Sequence, residues 1–110
     1  MIFAWDDINR VHLAKHNVMP DEAEEIVAEA RAPFPRQIGD DKLIVWGQTS
    51  NGRYLQVIFV LKPPRLVSYE SVSAEDWSEI ELEGITEIIR IIHAMDLTAE
   101  MKKQLRKRQR

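Results

Sequence analysis

These 110 residues contain no cysteine. That excludes disulfides, a thiol nucleophile and any cysteine metal centre, and leaves His, Lys, Arg, carboxylates and hydroxyls to carry any chemistry. Long apolar runs are missing as well. None approaches the roughly 18 residues a membrane span needs, and Met1–Trp5 meets Asp6-Asp7 too soon for a secretory leader, so a cytoplasmic protein without membrane contact is expected. There is no glycine-rich phosphate loop, nucleophile elbow or dinucleotide fingerprint, hence no expected cofactor. Without a repeat or an internal low-complexity linker, and with 45% apolar content, residues 1–110 read as one domain.

Charge is present but uneven. Six of the fifteen Lys and Arg side chains fall in the last nine residues: Lys102, Lys103, Arg106, Lys107, Arg108 and Arg110. Residues 1–101 then hold nine basic against eighteen acidic side chains, a formal −9, so the net −3 conceals a polarised molecule. The basic end is either a contact for a polyanion or acidic partner, or a solvated helix end whose cations complement its own dipole.

Local patterns give an element order. Ile2–Trp5 reads as a short strand, and Asp6 as the cap of a helix over about Asp7–His16 with Ile8, Val11, Ala14 and Val18 at helical spacing. Asn17 suits a left-handed helix end, and Pro20 the first turn of a second helix, Pro20–Ala30, burying Ala23, Ile26, Val27 and Ala30. Gln37–Lys42 reads as loop. Leu43–Gln48 and Tyr54–Leu61 form a hairpin whose Asn51-Gly52 pair supplies the positive φ values of a tight turn. The acidic segment to Gly84 predicts a strand near Leu66–Tyr69 and a helical turn near Ala74–Ile80. Ile85–Met95 fits helical spacing, yet its β-branched density favours a strand, with Asp96 or Thr98 opening a last helix.

Phe3-Ala4-Trp5-Asp6, Lys15-His16-Asn17-Val18, the hairpin from Trp46 to Val57, and Ile91-Ile92-His93-Ala94-Met95 together resemble the BrnT family of toxins. These are RelE-like ribonucleases of bacterial type II toxin–antitoxin pairs, and the likeness covers most of residues 2–61 and 85–105. It implies an α+β fold, a small antiparallel β-sheet packed against helices. It also implies a metal-independent endoribonuclease that inhibits translation, and a DNA-binding antitoxin partner within a complex that represses its own operon and can be homo-oligomeric in the toxin. The sequence departs from the family pattern at Asn17, where glycine is usual, at Met95, where arginine is usual, and in an insert over about residues 63–84. A non-enzymatic relative that keeps antitoxin or nucleic-acid binding is the alternative reading.

Metal-free RNA cleavage needs a base for the 2′-hydroxyl, an acid for the leaving oxygen and cations at the phosphate. On the resemblance, His93, Lys15, Arg53 and Arg90 are the candidate catalytic residues, and His16, Lys102, Lys103 and Arg106 the candidate RNA contacts. Each has a plainer reading: a core-edge histidine for His93, surface ion pairs for Arg53 and Arg90. A regular strand puts His93 with Ile89, Ile91 and Met95, and Arg90 on the opposite face. His12 and His16 stand at i, i+4 but lack a third ligand, so no metal site is expected. Trp5, Trp46 and Trp77 either stack on bases or pack; for Trp5 and Trp46 packing is preferred.

Overall fold

The computed structural model describes residues 1–109; Arg110, the last cation of the basic end, lies outside the described residues. Asp6 opens α1 (Asp7–Ala14) through a capping box: its carboxylate accepts from the amides of Ile8 and Asn9, and the Asn9 side-chain oxygen accepts from the Asp6 amide at 2.8 Å. Asn17 takes φ 55°, and α1 stops before the expected His16. The face expected to be buried is corrected. Ile8 and Val11 are 66% and 55% exposed, while Asn9 and Leu13 point inward. The Asn9 amide donates to the Ala4 carbonyl at 2.9 Å, so a polar side chain is satisfied inside and fixes the helix rotation.

Pro20 begins α2 (Pro20–Ala28), where the Glu22 carboxylate accepts from the Met19 amide at 2.9 Å; Ala23, Ile26 and Val27 are buried as expected. The helix ends two residues before Ala30, which still packs on the core. A strand not foreseen in the sequence follows. β1 (Arg36–Ile38) pairs Gln37 with Leu43, turning through Gly39 at φ 70°, where loop was expected. Its polar residues hid it, and a three-residue edge strand tolerates them.

β2 (Lys42–Gln48) and β3 (Tyr54–Lys62) form the expected hairpin. Its turn differs: Gly52 alone has positive φ, at 87°, and Asn51 does not, because the loop is closed by the Thr49 amide donating to the Arg53 carbonyl rather than by a two-residue turn. β4 (Ile88–Asp96) completes an antiparallel sheet in the order β1-β2-β3-β4. Its outer edge receives the N-terminal segment, where the expected strand shrinks to one parallel bridge between Phe3 and Ile89. Thr98, accepting from the Met101 amide, caps α4 (Ala99–Arg108).

The insert between β3 and β4 has its own core. Two 3-10 turns, Pro64–Leu66 and Tyr69–Ser71, replace the strand expected near Leu66–Tyr69, since Pro63-Pro64 removes the amides a ladder needs. The helical turn is a full helix, α3 (Ala74–Glu83), capped by Ser73 and closed by Gly84 at φ 66°. It joins Ile80 and Val72 to Ile2, Ala4 and Ile88 in a small cluster at the start of β4. The main core unites Leu13, Val18, Ile26, Val45, Leu55, Val57, Phe59, Ile91 and Ala94 between sheet and helices. Among the described residues, no helix is long and apolar enough to cross a membrane.

Candidate active site

A bulge in β4 decides which side chains share a face. Phe59 pairs with Ile91 but Ile58 with His93, so Ile92 is an extra residue. Ile91 and Ala94 are therefore both fully buried, three positions apart, while Arg90, His93 and Met95 are half-buried across from Val60, Ile58 and Gln56. The regular alternation expected from the sequence, with His93 beside Ile89 and Ile91 and opposed to Arg90, is thereby corrected.

His93 does not face this side alone. Its imidazole meets that of His16 edge to face, ring centroids 5.1 Å apart. Burial pushes the His93 pKa below the ordinary 6.5, with further lowering by the charges of His16 and His12, so the ring is neutral at pH 7 and able to accept a proton. His16 reaches it because α1 has already ended; the i, i+4 helical face with His12 is not formed. Among the described residues, no three His, Cys, Asp or Glu side chains converge as a metal site would require.

Arg53 holds the turn that carries His16. Its Nε and Nη2 donate to both carboxylate oxygens of Asp96 at 2.9 and 3.3 Å, Nη1 to Glu22 at 3.0 Å and to the Asn17 carbonyl at 2.6 Å, and Nη2 to the His16 carbonyl at 3.2 Å. All five N–H directions of the guanidinium find protein acceptors. This pairing raises the Arg53 pKa, chiefly through Asp96, and holds Asp96 below the ordinary carboxylate value. Arg90 is engaged too: Nη1 and Nη2 reach Asp6 at 2.6 and 3.3 Å, and that contact lowers the Asp6 pKa. The sequence marks Asp6 only as a cap, and Asp96 and Glu22 not as anchors; the signal is an excess of carboxylates with no indication of which arginine each will find.

Lys15, by contrast, lies on the exposed side of α1, in a shallow hollow with Asp7, Ile8, Val11 and His12. The basic residues of α4 form a separate group. Lys103 and Arg106 are exposed, Lys102 lies 5.4 Å over the Tyr54 ring and Arg108 5.6 Å over Trp46. Trp5 and Trp46 pack against the main core, with indole N–H groups donating to Glu24 and Gln56; Trp77 stacks on Tyr69. No family model matches the chain, and no curated protein or solved structure matches it.

Proposed function

We propose that this chain is an RNA-cleaving toxin of the BrnT kind, a metal-independent endoribonuclease held in check by a DNA-binding antitoxin in the cytoplasm. One observation carries the reading: a half-buried His93 in contact with a second imidazole, His16, on one part-open side of the sheet. Two adjacent imidazoles supply the pair that transphosphorylation needs. One takes the 2′-hydroxyl proton while the other, protonated, gives a proton to the leaving 5′-oxygen. Cations for the phosphate come from α4, since Arg53 and Arg90 are occupied. Arg53 then serves as a positioning residue for the His16 turn.

That occupation favours a second reading, a binding module without catalysis. With both arginines neutralised and Met95 on the His93 side, neither Arg53, just before β3, nor Arg90 of β4 is free to stabilise a phosphorane. Induced expression in bacteria separates the two. The toxin reading expects growth arrest and cleaved RNA, abolished by His93→Ala; unimpaired growth with soluble, folded protein supports the binding module.

A further inference from the structure

α4 crosses the hairpin end of the sheet and does not close it. β1 covers β2 only as far as Ile44, so the outer edge of β2 from Val45 to Gln48 has no strand partner among the described residues. Between that edge, the end of α2 and α4 lies a cleft of about 550 Å³, within the size range of small-molecule sites. Its apolar wall is Trp46, Tyr54 and Leu105; its polar wall includes Gln48, Glu29 and Arg106. Glu25, also in the wall, is already used, accepting from the Ser50 amide and hydroxyl.

The two aromatic rings are each paired with a cation from α4, Lys102 over Tyr54 and Arg108 over Trp46. These are partly wet contacts of modest strength, about 0.5–1 kcal/mol at exposed sites. A ligand with a flat ring and an anionic group exchanges them favourably: the ring takes the aromatic face and the anion takes the cation. Nucleotides have that composition. The cleft and the histidine pair share no residue but lie on one strand ladder. Trp46 pairs laterally with Gln56, and Gln56 with Met95, two residues along β4 from His93. Two strand spacings separate Trp46 from Met95, about 10 Å of backbone.

We propose that this cleft is a nucleotide-binding subsite, taking a base of a single-stranded RNA whose scissile phosphate lies at the histidine pair, with Arg106 of the cleft wall on the phosphate of that nucleotide. The assignment to RNA rests on the ribonuclease reading; the nucleotide chemistry of the cleft does not. Isothermal titration of the intact protein with the four nucleoside 5′-monophosphates tests it, with ribose 5-phosphate as the baseless control. At least one monophosphate binds about ten-fold or more tighter than ribose 5-phosphate, because stacking is the interaction the control lacks. Arg106→Ala, at an exposed position, weakens the monophosphate several-fold. Trp46→Leu removes most of the preference over ribose 5-phosphate, and circular dichroism confirms its fold; Tyr54→Leu is the substitute should that variant unfold. Equal binding of ribose 5-phosphate and the monophosphates, or no binding of either, overturns the subsite. RNA cleavage without monophosphate binding removes the subsite alone, and monophosphate binding without RNA cleavage removes the ribonuclease reading alone.

Discussion

Asp6 and Arg90, eighty-four positions apart in the chain, form a two-point ion pair that makes one carboxylate serve two elements at once, capping α1 and fastening that helix to β4. Asp6→Ala therefore removes more than a surface pair. The cap alone is worth about 1 kcal/mol and its removal leaves Arg90 half-buried without an acceptor, so the total is about 2–3 kcal/mol in urea unfolding. Asp6→Asn, which keeps the cap, costs less. Equal destabilisation by the two variants would show that the cap contributes nothing, and an unchanged stability of Asp6→Asn that the ion pair contributes nothing.

Acid stability follows from the same pairs. Asp6 and Asp96 both have folded-state pKa values below the ordinary 3.8, each mainly through its arginine. A depressed carboxylate contributes stability that is present above the unfolded pKa and is lost as pH falls through the folded one. Unfolding free energy thus drops below about pH 4 in the native chain. The drop is shallower in Asp6→Asn. Parallel pH–stability curves for the two proteins would remove Asp6 as a source. Asp96, more exposed, contributes the smaller part.

His93 gives a profile of the same sign, nearer neutrality. Its folded pKa is depressed below 6.5, so the unfolded chain binds a proton first and stability declines as pH falls from 6.5 to the folded value. An NMR titration of the imidazole reads the midpoint directly. Burial is the larger cause and the His16 charge the next, so His16→Ala raises the midpoint only in part. Arg53→Lys, which cannot make the five-bond clamp on the His16–Asn17 turn, moves it the same way if Arg53 positions His16. A midpoint unmoved by Arg53→Lys would limit that residue to fold stability.

The basic helix is tested by neutralisation and not truncation, because Leu105 is a core residue, 3% exposed. Lys103→Gln, Arg106→Gln and Lys107→Gln together lower the slope of log affinity for single-stranded RNA against log salt by about 0.7 for each phosphate that is no longer neutralised. An unchanged slope means that α4 is a solvated helix whose cations serve its own dipole.

Much of the fold is legible in the sequence because it rests on local signals. Asp6, Asn17, Pro20, Gly52 and Thr98 each take the cap or turn role their chemistry favours, and the β-branched run through Ile88–Met95 is a strand. Legibility fails where tertiary contacts override spacing. A buried Asn9 rotates α1 and leaves Ile8 and Val11 outside; the bulge at Ile92 reverses the parity of β4 and brings His93 to the side of Arg90; and β1 is invisible because Arg36 and Gln37 carry no strand pattern. The sequence singles out both His93 and His16, but their meeting depends on a bulge and on a helix ending early, neither of which leaves a mark in composition.

Met95 offers the sharpest test of the catalytic reading. It is half-buried, pairs across the ladder with Gln56, and lies two residues from His93 on the same side of β4 beyond the bulge. An arginine there can lay its aliphatic stem along the surface now covered by the methionine and carry its charge to solvent, so folding is expected to change by less than about 1 kcal/mol. Both Asp96 oxygens already accept from Arg53, which leaves the new guanidinium freer to meet a phosphate. On the ribonuclease reading, Met95→Arg then raises the single-turnover cleavage rate of a single-stranded RNA by about 10²-fold, the usual worth of one well-placed charge-stabilising donor. Adding His93→Ala to it should abolish the gain, because a phosphate clamp without a base has nothing to accelerate. If Met95→Arg tightens RNA binding while cleavage stays at the uncatalysed level with both proteins folded, this side of β4 binds RNA without cutting it, and the binding module is the correct reading.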